Sequence, residues 1–450
     1  MARTATLVVV LFVVSTAGAM ALPGGVVERQ AEPEPAERWN KTYGSSGDEI
    51  FNDVVRTDDG GYILAGETER SGTGIDGWVV KIDAKGNEQW SRTLSGSGTD
   101  RLYSVVPNGN GGVMVAGRTD SGGSAMGWVV ELAGDGSTQN ERTPRQGAFY
   151  SLERDGNGYV LAGWTSDGGK KGWLLKLRGS GEKAWEKTYA SPEEYSTGGF
   201  KAVVPASNGY FVAGEVDGGS QDAWAMRVGN NGNRRWQKTA GGPDREAIWA
   251  ATGGDDGIVL AGESESGDSR DGWVLKYDAN GDLAWENRYG EADVDWLDSA
   301  MKTDDGGYLF TGGTLTGGIG SADGYVVKTG SDGTVQWENA YGSAQWDKPW
   351  PAIQAHGGGY LLAGQTGGFG AEGMDGWVLH LGSAGQISES SGTTEGDGSD
   401  EGGNDGTSET TAKGASGKDT QTGGTSLPGF TGVVALVALS ISVLFLWRRR

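Results

Sequence analysis

The chain has 450 residues, with 84 Gly, 18 Trp, no Cys, only two His and a formal net charge of −23. The missing Cys excludes disulfides, thiolate catalysis and Cys-ligated zinc or iron–sulfur sites, and two His are too few for a His-rich metal centre. The acidity disfavours nucleic acid as a partner and suits solubility in high salt, a halophilic trait, because screening removes self-repulsion.

In chain order, residues 1–21 read as a secretory signal. Arg3 gives a positive start, Leu7 to Val14 is an apolar stretch too short to span comfortably, and Ala17-Gly18-Ala19 or Ala19-Met20-Ala21 fits a cleavage site. A linker, 22–37, follows.

The region 38–387 is repetitive. One unit reads Asp59-Gly60-Gly61-Tyr62-Ile63-Leu64-Ala65-Gly66, then Asp76-Gly77-Trp78-Val79-Val80-Lys81, then Gly86 and Trp90. The Gly of the Ala-Gly step recurs at 66, 117, 163, 214, 262, 312 and 364, and the aromatic of the second segment at 78, 128, 173, 224, 273, 325 and 377. Each copy of about 50 residues holds four short β-branched or aromatic runs bounded by Gly/Asp/Asn turns, the pattern of a propeller blade. In the first copy the expected strands are 51–57, 61–68, 77–83 and 88–94. A Trp-led outer strand is present at Trp90, Trp185, Trp236, Trp285 and Trp337, degenerate at Asn140, and missing after the seventh copy. One extra such segment, Trp39 to Gly44, precedes the first repeat. The spacing therefore predicts an all-β, seven-bladed β-propeller of four-stranded blades whose N-terminal strand completes the last blade and removes an exposed edge. The motif string resembles the WD-repeat-like and quinoprotein-like propellers of prokaryotic surface proteins. That resemblance implies the fold and little about activity, since propellers host unrelated functions.

Residues 388–426 are Ser, Thr, Gly, Asp and Glu with almost nothing apolar, which predicts a disordered, self-repelling acidic spacer. The segment 427–450 carries Pro428-Gly429-Phe430, a continuous apolar run at 431–447 read as a transmembrane helix, and Arg448-Arg449-Arg450. This tail resembles the PGF-CTERM sorting signal of archaeal cell-surface proteins. The resemblance implies recognition by an archaeosortase, removal of the helix and attachment to lipid at the extracellular face of the membrane. A retained C-terminal anchor is the alternative, and both place the propeller outside the cell.

Catalysis needs a residue that breaks the repeat. His356 stands where Asp58 stands in the first copy and His380 where Lys81 stands, so both read as repeat variation. The acidic turns, such as Asp278/Asn280/Asp282 and Asp255/Asp256, are too short to supply a calcium shell. No metal or cofactor is expected. Five Trp have no counterpart in the other copies: Trp164, Trp249, Trp296, Trp346 and Trp350. Acids lie beside them, notably Asp293, Asp295 and Asp298. Trp beside carboxylates suits stacking on sugar rings with hydrogen bonds to hydroxyls, or a cation over an aromatic face; extra core packing is the competing reading. Asn40-Lys41-Thr42 is a sequon that places a glycan acceptor on the outer strand. The reading favours a non-catalytic binding or structural module of the cell envelope, with carbohydrate or an envelope protein as partner. The alternative is an extracellular enzyme, either glycan-cleaving with paired carboxylates or a quinone-dependent oxidoreductase.

Overall fold

The computed structural model describes residues 39–385, apart from short stretches at 71–73, 95–97, 121–122, 267–268, 291–293, 316–317, 319 and 371–372. The expected signal segment, the acidic spacer and the sorting signal with Pro428, Gly429 and Phe430 lie outside the described residues. Among those described, no helix is long and apolar enough to cross a membrane.

The described chain forms seven four-stranded antiparallel sheets. Blade 1 comprises Glu49–Arg56, Tyr62–Arg70, Gly74–Ile82 and Glu88–Leu94, from the inner strand outward. These bounds match the expected ones within a few residues. Blades 2 to 6 repeat the pattern. Blade 7 is built from Asp347–Gln354, Tyr360–Thr366 and Asp375–Leu381, and its outer strand is the N-terminal segment Asn40–Tyr43. Asn40 pairs with Leu379 and Tyr43 with Gly376, and the His380 amide donates to the Trp39 carbonyl at 2.8 Å. The expected closure of the propeller is therefore present, with Trp39 just before the strand rather than within it.

Three repeated residues explain why the sequence folds this way. The first is the Gly of the Ala-Gly step. A methyl group at Gly66, Gly117, Gly163, Gly214, Gly262, Gly312 or Gly364 would lie only 1.8–2.0 Å from a carbonyl oxygen of the inner strand, so nothing larger than hydrogen fits there. At this close approach the inner strand shifts register and carries an extra residue, as between Phe51 and Asp53 in blade 1. A bulge recurs here in all seven blades, and in blade 7 it leaves both Trp350 and Pro351 out of the ladder.

The second is the Gly before the third-strand aromatic. It leaves room for the next blade: Gly77 faces Trp128 and Leu102, Gly172 faces Phe200, and Gly376 faces Phe51, which carries the packing from blade 7 back to blade 1. The third is the outer-strand Trp, which latches onto the hairpin of the following blade. Trp39 Nε1 donates to the Ala84 carbonyl, Trp90 to Gly134, Trp185 to Asn230 and Trp236 to Ala279, at 2.9–3.3 Å. The turn glycine beneath each latch has positive φ, +74° at Gly86, and a side chain there would strike the indole of Trp39. The core consequently lies between sheets, in clusters that mix residues of neighbouring blades, as Phe51 and Trp78 of blade 1 cluster with Leu361 and Val378 of blade 7.

Candidate functional site

Each inner strand carries a bulge residue whose chemistry differs from blade to blade. In order around the axis these are Asn52, Tyr103, Tyr150, Lys201, Trp249, Asp298 and Trp350, so Trp249 and Trp350, expected to have no counterpart in other copies, occupy equivalent positions in blades 5 and 7. All seven are half-buried. The extra residue cannot join the ladder, so its side chain turns from the sheet toward the axis, where neighbouring blades meet. Contacts run directly from blade to blade. The rings of Tyr103 and Tyr150 lie 5.0 Å apart. Lys201 Nζ sits between two rings, 4.4 Å from Tyr150 and 4.7 Å from Trp249. Asp298 pairs with Lys348 at 3.0 Å, and Lys348 in turn lies 4.5 Å over Trp350 and 5.2 Å over Trp296.

On the blade 5–7 side the girdle opens into a hollow of about 710 Å³, a volume that suits a small ligand or a few sugar units. Trp249, Asp298 and Lys348 line it near the axis, and Trp296, Trp346 and Leu315 form an apolar wall. The opposite wall is a charged fork: Arg245 and Arg270 both reach Glu263 and Glu265, with Arg270 Nη1 3.2 Å from Glu263 and Nη2 3.3 Å from Glu265. Trp346 and Leu315 are 38% and 46% exposed, whereas Trp296 is only 8% exposed and lies at 26° to the Trp346 ring. Trp296 fills the space left by the absent side chain of Gly313, its cross-strand partner. It therefore acts as a buried backing for Trp346, and the core-packing reading holds for it. Burial raises the Asp298 carboxyl above its usual range, and the adjacent ammonium of Lys348 opposes that rise.

The structure thus brings together Trp249, Trp296, Trp346 and Asp298, with Trp350 next to them through Lys348. Trp164 lies elsewhere, on the second strand of blade 3, where its side chain and that of Lys170 crowd the Cα of Gly199 in blade 4. Asp295 does not line the hollow: it is 1% exposed and folded beneath Gly290. Asp293 falls outside the described residues. Asn40 begins the closing strand, and its Oδ1 accepts a hydrogen bond from Trp377 Nε1 at 2.6 Å. His380 is buried against Trp39, and His356 lies by Tyr62 in a separate hollow of about 790 Å³ on the opposite face.

Deeper in the channel two acids stand apart from the hollow. Asp53 accepts hydrogen bonds from Ser104 Oγ and the Val105 amide of the next blade, yet burial still pushes its pKa up to about 6. Glu153 is pushed up to about 8, by burial first and then by the facing Asp53 carboxylate. The acidic turns are occupied with their own backbone: Asp278 Oδ1 accepts the amides of Asn280 and Asp282, both at 2.9 Å. Among the described residues no three Asp, Glu or His side chains gather to hold a metal ion.

The residues that sequence reasoning missed are Tyr103, Tyr150, Lys201 and Lys348, together with the Arg/Glu fork. A signal existed for the first three, because each stands 13 or 14 positions before the Gly of the Ala-Gly step, as Trp249, Asp298 and Trp350 do.

No known protein family matches the chain, and no curated protein matches it in sequence. Solved structures do. One is the quinohemoprotein alcohol dehydrogenase of Comamonas testosteroni, at 11% identity and a TM-score of 0.43, covering 81% of this chain and 79% of that one. Another is Sqt1 of Chaetomium thermophilum, at 12% identity and a TM-score of 0.43, covering 75% and 97%. A third is a protein of unknown function from Bacteroides caccae, at 11% identity and a TM-score of 0.40, covering 66% and 94%. At such identities the likeness extends to the fold alone.

Proposed function

We propose that the propeller is a non-catalytic carbohydrate-binding module displayed on the outer face of the cell membrane. The observation that carries this reading is the blade 5–7 hollow: an exposed indole, Trp346, backed by Trp296 and set opposite a fork of Arg245, Arg270, Glu263 and Glu265. A flat aromatic face stacks on the C–H face of a pyranose. The fork offers donors and acceptors at fixed positions for the ring hydroxyls. Carboxylates already bonded to guanidinium groups keep their orientation without reorganising on binding, which lowers the cost of association.

Display at the surface rests on the signal-like N-terminus and the PGF-CTERM-like tail, with an archaeosortase as processing partner and the acidic spacer as stalk. An enzymatic reading is less well supported. Asp298 is tied to Lys348, and Asp295 lies under Gly290 away from the hollow, so these two acids do not form an open pair across it.

The test is binding of the purified propeller to an array of oligosaccharides, followed by titration of each hit with wild type and Trp346→Ala. The exposed indole should account for about a two- to tenfold loss of affinity, given ~0.5–1.5 kcal/mol for an aromatic stacking contact. Unchanged binding by the variant removes the hollow from consideration. Turnover of any glycan would replace the binding reading with the catalytic one.

A further inference from the structure

The girdle continues from the hollow around the axis as an arc in which cations and aromatic rings alternate. From Trp249 it passes to Lys201, Tyr150 and Tyr103. Beyond Tyr103 stand Arg101 and its cross-strand partner Arg118. The ion-pair count along this arc is unbalanced. Arg101 Nε lies 2.9 Å from Glu67 Oε2, and the charge of Arg118 acts on the same carboxylate from nearby. Arg118 Nε is buried with no hydrogen-bond partner. Two blades further, Lys201 of blade 4 and Lys170 of blade 3 both lie 3.6 Å from the single Oε1 of Glu215. Four cations therefore share two buried carboxylates, on a protein whose net charge is −23. The fork of blade 5, by contrast, balances two guanidinium groups with two carboxylates.

A surplus of cations held in a half-buried, aromatic-lined channel mouth is costly unless an anion completes it. We infer that the arc is a second subsite, which receives the anionic group of an acidic oligosaccharide whose neighbouring unit stacks in the blade 5–7 hollow. This rests on the carbohydrate reading of that hollow and specifies its ligand as a uronate or sulfated sugar. Tyr103 and Tyr150 supply the stacking face and Lys201 the charge nearest Trp249, so a ligand lying from Trp346 across Trp249 to Lys201 satisfies both parts. The overall acidity of the surface excludes long-range attraction of a polyanion. Recognition is consequently short-range and confined to one or two sugar units at the channel mouth.

The experiment is calorimetric titration of the propeller with three probes of matched length: an oligogalacturonate, a heparin-derived oligosaccharide and a neutral xylo-oligosaccharide. Each is repeated with Lys201→Gln and, separately, Arg118→Gln, after circular dichroism confirms the fold. Wild type should bind an acidic probe at least about tenfold more tightly than the neutral one, the scale of one charge-assisted pair in a partly desolvated site. Either substitution should remove most of that preference and leave the neutral probe's affinity unchanged. The better of the two acidic probes identifies carboxylate or sulfate as the anion. Equal affinity for acidic and neutral probes, or equal loss of both in the variants, overturns the anionic subsite and leaves the carbohydrate reading standing. Failure of all three probes, alongside a blank oligosaccharide array, overturns both.

Discussion

The substitution Glu153→Gln should change how stability depends on pH. Glu153 lies on the inner strand of blade 3, in the channel, facing Asp53 of blade 1. Its folded pKa is about 8, against 4.5 for an unperturbed Glu, so between these values the native state holds a proton that the unfolded chain has released. The slope of unfolding free energy with pH follows the protons bound in the unfolded state minus those bound in the native state. Here that difference is negative. Stability is therefore present below about pH 4.5 and lost as pH rises toward 8. At pH 7 the window crossed is about 2.5 units, or about 3 kcal/mol at 1.36 kcal/mol per unit. Glu153 keeps some solvent exposure, which screens part of this and leaves about 1.5 kcal/mol. Asp53, at about 6, acts in the same direction over a narrower range, and its ionisation is one cause of the Glu153 shift.

Gln is neutral at every pH and nearly isosteric, so the variant should lose this slope while keeping the packing. The assay is urea unfolding at pH 5, 6, 7 and 8 for wild type, Glu153→Gln and Asp53→Asn. The difference between variant and wild type is the readout, because the many surface acids alter both curves alike. Glu153→Gln should gain on wild type steadily from pH 5 to 8, and Asp53→Asn should gain chiefly below pH 7. Parallel curves for wild type and Glu153→Gln across this range would show that the channel solvates Glu153 as well as bulk water does, and would refute the coupling to Asp53.

Two further outcomes concern the fold. Gly66→Ala puts a methyl group 1.8 Å from the Ile50 carbonyl, so the bulge must move; the cost should be about 3 kcal/mol by thermal unfolding. Gly60→Ala is the control, since nothing lies within 4 Å there and only its φ of +88° is strained, for about 1 kcal/mol. Deleting the chain through Tyr43 removes the outer strand of blade 7 with the Trp39–Ala84 and Tyr43–Gly86 latches. The exposed edge at Asp375–Leu381 should then drive self-association, visible by light scattering, while Tyr43→Phe should remain monomeric and lose about 1 kcal/mol.

The fold was legible because the residues that build it are the ones that cannot vary. Gly66 and its six counterparts are dictated by the carbonyl pressed against them, and Gly86 by the indole of Trp39 above it. The extra Trp39 segment was legible as an outer strand without a blade, and the structure uses it as one. The site was half legible. Trp249, Trp346 and Asp298 stand out as departures from the repeat, and they do converge. Trp164 departs equally but serves the blade 3–4 junction, which spacing along the chain does not distinguish. Tyr103, Tyr150 and Lys201 were passed over because a Tyr or a Lys inside a strand looks ordinary. Only the bulge makes them axial, and the bulge follows from a contact between strands rather than from the strand's own residues.

That division suggests where this propeller can change without unfolding. The glycine opposite each inner strand enforces the bulge through steric exclusion alone, whatever residue the bulge carries. The bulge residue leaves the ladder and the inter-sheet core, so Asn, Tyr, Lys, Trp and Asp all occupy it in one molecule. Seven positions are thereby released from the packing constraint that fixes their neighbours Phe51, Leu102, Phe149, Phe200, Ile248 and Leu297, each fully buried. Exchanging the uncharged residues among them should alter ligand preference while moving stability by less than about 1 kcal/mol, whereas Lys201 and Asp298 are held by Glu215 and Lys348. Swapping Asn52 and Trp249 would test this directly, because it keeps net charge and composition but moves the indole away from Lys201 and the blade 5–7 hollow. A folded protein with altered sugar preference would show that the girdle sets specificity; a protein that fails to fold would show that the bulge positions are bound to the core after all.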